Sequence, residues 1–170
     1  MYYVESCTKS TIIIPPQLLK LFKYYENDII EKNSNFQINE ASEEYIITNN
    51  ILNTKKSEKT FNETLFAYID KSNLSDVAIY KKAYIDRRLF SKIKSNNEYH
   101  PSFGTVVLLA LALELTTKEF EDLLKSASYS LPQNSYANIT LKYCFDNQIH
   151  NINFVNNLMY TILNKQIKDL

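Results

Sequence analysis

Eight consecutive residues, Val106-Val107-Leu108-Leu109-Ala110-Leu111-Ala112-Leu113, carry no polar side chain. Wound at helical pitch, such a run is apolar on every side, so other elements must surround it. Ser102 precedes the run and is placed to cap a helix. The run falls far short of the ~20 residues needed to cross a bilayer. The chain is therefore expected to be organised around one buried helix, not around a sheet or a membrane span.

The segment before it is as charged as the run is greasy. Ile85-Asp86-Arg87-Arg88-Leu89-Phe90-Ser91-Lys92-Ile93-Lys94 puts Leu89, Phe90 and Ile93 on one face at helical spacing and turns Arg87, Arg88, Ser91, Lys92 and Lys94 elsewhere. Ser95-Asn96-Asn97-Glu98-Tyr99-His100-Pro101, rich in loop formers, joins the two helices. A buried helix with a short basic helix beside it is the frame of a helix-turn-helix module.

Net charge is zero, with 19 basic and 19 acidic residues, so any nucleic-acid contact must be local. Lys81, Lys82, Arg87, Arg88, Lys92 and Lys94 stand against the one acid Asp86, and Glu114, Glu119, Glu121 and Asp122 soon follow around Lys118. Two solvated faces that balance, or ion pairs from the basic helix to Glu98 and the acidic patch, are the competing account.

The single glycine, Gly104, excludes every glycine-rich phosphate loop. Scarce Gly and Pro also argue for long helices and few tight turns. From Thr60 the pattern is regular. Thr60 with Glu63 makes a capping box for a helix over 61–71 that buries Phe61, Leu65, Tyr68 and Ile69. Ser75 caps a helix over 76–83 with inner face Val77, Ile79, Tyr80 and Ala83, Tyr84-Ile85 forms a tight corner, and Asp86 caps the basic helix. Thr116 to Glu119 is a further cap region, and 136–147 and 151–164 are two amphipathic helices. No internal repeat is visible. Residues 1–59 differ: a short β-branched run at 11–14, a helix over 17–32 opened by Pro16, an ambiguous 36–38, a helix over 40–52 and a polar linker over 53–59. The expected organisation is an N-terminal appendage over 1–59, packed on the rest or on another copy, and an all-α domain over 60–170.

Little in the chain points to chemistry. Cys7, Cys144, His100 and His150 share no ligand spacing, so no metal site is expected. There is no Gly-x-Ser-x-Gly, no paired His and no nucleophile beside a base, so neither catalysis nor a cofactor is expected. Tyr80, Tyr84 and Tyr99 are read as core or rim residues, and His100 as a turn residue. Two isolated cysteines, and a start without a basic leader, give a cytoplasmic expectation.

The order of residues from Ile79 to Asn96 resembles helices two and three of the Cro and phage-repressor (XRE) helix-turn-helix family. Pro101-Ser102, Thr105 and the run to Leu115 resemble that family's following cap and fourth helix. More closely, 61–163 is similar to a helical region of bacterial proteins of that type, where it can stand behind another domain such as a macro domain. Its marks are Tyr80-Lys81-Lys82-Ala83, Phe90-Ser91-Lys92-Ile93, Tyr99-His100-Pro101-Ser102, Ala110 to Leu115 and Asp122-Leu123-Leu124. The resemblance leaves out the N-terminal segment.

It implies an all-α, lambda-repressor-like bundle with extra C-terminal helices, acting as a sequence-specific regulator on double-stranded DNA, and, since one module offers few contacts, as a homo-oligomer. Arg87, Arg88 and Ser91 then become base-reading candidates, with Arg suited to guanine. Lys92, Lys94, Ser95, Asn96 and Asn97 become backbone contacts. Two positions depart from the family. Asp76 replaces the Gln or similar donor that opens helix two, where it would repel a phosphate. Asn96 replaces the glycine after helix three and must take its left-handed conformation. The alternative is a protein-interaction module, or a phage- or defence-associated adaptor, that keeps the frame without binding DNA.

Overall fold

Most helices of this protein start where a short polar side chain turns back onto the backbone. In the computed structural model, which describes residues 14–34 and 59–170, the elements are α1 (Pro16–Ser34), α2 (Phe61–Ser72), α3 (Asp76–Lys82), α4 (Arg87–Ser95), α5 (Phe103–Ala112), α6 (Thr117–Ser126), α7 (Tyr136–Asp146), α8 (Ile152–Leu163) and a 3-10 turn over Ile167–Asp169. The protein is all-α, with no strand among the described residues. Thr60 and Glu63 form the expected capping box, as do Thr116 and Glu119. Ser75, Asp86 and Ser102 accept from the backbone N–H of Ala78, Arg88 and Thr105. Such caps contribute about 1 kcal/mol each and fix helix starts to within a residue.

Pro16 opens α1 as expected, and Leu18 and Phe22 enter the core. The expected run at 11–13, the segment 36–38, the helix over 40–52 and the linker to 58 lie outside the described residues. No described helix is long and apolar enough to cross a membrane.

The greasy run becomes α5, and every residue from Val106 to Ala112 is buried. It packs against α3, α6, α8 and the C-terminal 3-10 turn, which is how a helix without a polar side avoids water. α2 lies on α6, α7 on α6 and α8, and α1 on α7. Tyr136 at the start of α7 meets both Phe22 and Tyr25 of α1 edge-on, with ring centroids at 4.8 and 5.7 Å. One continuous core runs from Leu18 to Ile167.

Gly104 faces the backbone of the 3-10 turn. A Cβ there would overlap the Ile167 carbonyl oxygen and press on Lys168 Cα at 3.1 Å. The chain's one glycine is thus a point of close approach between α5 and the C-terminal turn, which buries Ile167. That turn has no counterpart in the sequence reading.

The expectation of few tight turns is corrected. Tyr84, Glu114, Ser128 and Gln148 all sit at positive φ, between 53° and 60°. Each ends its helix in the same way. Its own N–H bonds a carbonyl three residues back, and the next residue's N–H bonds a carbonyl five back, as in Tyr84 to Lys81 at 3.1 Å and Ile85 to Tyr80 at 2.9 Å. The residue that follows is apolar or aromatic: Ile85, Leu115, Tyr129 or Ile149. Tight corners therefore occur without glycine, because full burial of Ile85 and Leu115, and partial burial of Tyr129 and Ile149, offset a left-handed cost of about 1–2 kcal/mol.

Candidate functional site

Among the described residues, α4 is held by one side only. Phe90 and Ile93 are buried and Leu89 is half-buried. The Phe90 ring lies 6.1 Å from that of Phe66 on α2 and 5.8 Å from that of Tyr80 on α3. α3 and α4 are joined by Ala83 to Asp86, with Ile85 buried beneath the corner.

The far end of α4 is fastened by a residue the sequence reading passed over. Asn62 on α2 is buried, and its side-chain amide donates to the carbonyl of Ile93 and, at 3.4 Å, to that of Lys94. These are carbonyls of the last turn, which lack partners within the helix. A signal was present: Asn62 precedes Leu65 and Ile69 by three and seven residues, a polar side chain in an apolar stripe.

Arg87, Arg88, Ser91, Lys92, Lys94, Ser95, Asn96 and Asn97 are all exposed. The structure divides them. Arg88, Ser91 and Ser95 recur at i, i+3 and i+7 and so form one line along the solvent side, with Arg87 one turn before Ser91. Among the described residues no ion pair, hydrogen bond or ring contact holds either guanidinium.

The two lysines are engaged by other side chains of the protein. Lys94 Nζ lies 2.6 Å from Asp76 Oδ2 and 5.6 Å from the centre of the Phe66 ring. Lys92 Nζ lies over Tyr99, 4.8 Å from its ring centre. A third lysine, Lys82, pairs with Glu114 at 2.6 Å, and that hydrogen bond holds the Glu114 carboxyl below its usual range. So the acidic patch does engage a lysine, but it is Lys82 of α3 and neither arginine of α4.

Asn96 does not take the left-handed conformation. Its φ of −127° and ψ of 104° are extended. The physical reason is local. Its N–H still bonds the Lys92 carbonyl at 3.2 Å, its side-chain oxygen accepts from Glu98 N–H at 3.0 Å, and its carbonyl accepts from Tyr99 N–H at 3.0 Å. A turn built from the Asn side chain and backbone replaces the glycine bend. Val77, placed on the inner face of α3, is instead 48% exposed, so Ile79 and Ala83, with half-buried Tyr80, make that face. Tyr68 is half-buried.

Tyr84 is 66% exposed, and its hydroxyl accepts from the Asn153 side chain at 3.2 Å. Tyr99 is half-buried under Lys92. His100 is exposed with its ring edge-on to Tyr129, whose hydroxyl donates to the Pro101 carbonyl at 3.0 Å and steadies the loop after α4. His150 hydrogen-bonds the Leu115 carbonyl through Nε2 at 3.0 Å. Cys144 is buried, and burial pushes its thiol up to about 12, which leaves it unreactive. No group of three or more His, Cys, Asp or Glu side chains among the described residues is placed to hold a metal ion. Comparison with known protein families, curated proteins and solved structures found no match.

Proposed function

We propose that the protein is a DNA-binding regulator that docks the outer side of α4 into a major groove, with α3, the four-residue corner and α4 acting as a helix-turn-helix. The observation that carries this reading is the pair Arg87 and Arg88: both side chains are exposed and, among the described residues, free of partners, at the start of a helix whose opposite face is locked to α2 and α3. The N-terminal end of a helix adds positive potential to theirs. Ser91 and Ser95 continue the same line and supply hydroxyls for base edges or phosphate. An all-α frame and the resemblance of 79–115 to the phage-repressor family support the assignment.

One such module makes few contacts, so the acting species is a homodimer with two α4 faces about 34 Å apart, one helical turn of DNA. The test is a gel-shift titration of the wild type and an Arg87→Ala/Arg88→Ala variant against a duplex selected from a random pool. Loss of specific binding in the variant is expected, since each bidentate arginine contributes about 1–3 kcal/mol of discrimination. Equal affinity of the two proteins would refute the assignment.

A protein-interaction role is favoured by one observation: Lys82, Lys92 and Lys94 are all engaged within the chain, which leaves two arginines as the cationic core of the face. On that reading the random pool yields no enriched sequence and the protein is retained by a protein partner instead.

A further inference from the structure

The ion pair between Lys94 and Asp76 sits where the proposed docking face meets α3, and it deepens that reading. Lys94 belongs to three helices at once. Its carbonyl receives Asn62 from α2, its side chain lies over Phe66 of α2, and its ammonium reaches the carboxylate of Asp76 in the first turn of α3. Both charged side chains remain substantially exposed, at 57% and 37%. An exposed pair of this kind adds little to stability. It nevertheless cancels, at short range, the charge of Lys94, the α4 cation that reaches Asp76.

The departure at Asp76 thus acquires a physical account. A lone carboxylate at the start of α3 would repel a backbone phosphate. With Lys94 against it, the pair is neutral and the repulsion is removed, but so is the attraction Lys94 would offer. We propose that Asp76 is an affinity-limiting residue: it keeps Lys94 on the protein and withholds one phosphate contact from the docking face, so that base contacts from Arg87 and Arg88 carry a larger share of binding. The inference rests on the DNA-binding reading of α4. It makes Lys94 a withheld cation, where the sequence alone suggested a contact.

The test uses the full chain and a random-sequence duplex of about 20 base pairs, two helical turns. Wild type, Asp76→Asn, Lys94→Gln and the double variant are titrated by fluorescence anisotropy between about 50 and 200 mM salt. Asp76→Asn is expected to bind more tightly, up to about eightfold near 0.1 M salt, with the log-log salt slope steeper by about 0.9, the signature of one added phosphate. The double variant is expected to lose that gain, because the gain runs through the Lys94 ammonium. Thermal melting checks that all four proteins are folded, and Asp76→Ser replaces Asp76→Asn should the latter fail to fold.

A wild-type slope in Asp76→Asn overturns the inference while leaving the reading of α4 intact. So does a gain that survives in the double variant, since the effect would then be repulsion from the carboxylate alone. Absence of binding by the wild type at low salt overturns both, and is told apart from the other outcomes by that protein alone.

Discussion

The side-chain amide of Asn62, buried in the first turn of α2, donates to the carbonyl of Ile93 in the last turn of α4. A helix that must present one side to a partner needs its other side and its end immobilised. Phe90 and Ile93 immobilise the side, and Asn62 the end. Replacing Asn62 with Ala leaves the carbonyl of Ile93 without that donor, at a cost of about 1–3 kcal/mol. Chemical denaturation should show that loss, and amide exchange should show it concentrated in the last turn of α4.

Gly104→Ala should be destabilising although Ala is the better helix former. The added methyl runs into the Ile167 carbonyl, and overpacking of this kind costs about 1–3 kcal/mol. In a chain ending after Leu163 the obstacle is gone. There the same substitution should be neutral or stabilising, by up to about 1 kcal/mol. A double-mutant cycle of melting curves separates the two effects.

Gln148 is exposed and holds φ at 55° in the corner between α7 and α8. Gln148→Gly should raise stability by about 1 kcal/mol, because glycine relieves the left-handed strain while the bond Gln148 makes in the corner, to the Phe145 carbonyl, comes from its backbone N–H. A gain in melting temperature is the expected readout.

Acid should weaken the fold through Glu119. The Thr116 backbone N–H bonds its carboxylate at 3.0 Å and the Thr116 hydroxyl at 2.9 Å, and these hold its pKa below the ordinary 4.5. Its folded pKa is depressed, so its contribution is complete above 4.5 and is lost as pH falls through the lower folded value. Glu114, held low by the Lys82 hydrogen bond, acts in the same direction. Stability should be flat toward neutral pH and fall below about 4.5, with a shallower fall in Glu119→Gln.

Helix starts were legible because their signals are local. Thr60 with Glu63, Ser75, Asp86, Ser102 and Thr116 with Glu119 each act within one turn. The burial of α5 was legible because an unbroken apolar run has only one stable environment. What escaped the reading depends on distant partners. Nothing near Lys94 announces that Asp76, eighteen residues away, will take its charge, and nothing near Gly104 announces the turn at Ile167. Asn96 was expected to copy a glycine, but its own side chain supplied a different turn. The helical period places Val77 inward, yet α3 is only seven residues long and the corner packs through Ile79 and Ala83.

The most direct measurement is a titration of isotope-labelled protein with its selected duplex, followed by backbone amide shifts. The largest changes are predicted at Arg87, Arg88, Ser91 and Ser95, with small ones on α1 and α7, which lie away from the solvent side of α4. Shifts confined to α1 and α7, or an unperturbed α4 at saturating duplex, would contradict the claim that this helix is the docking surface.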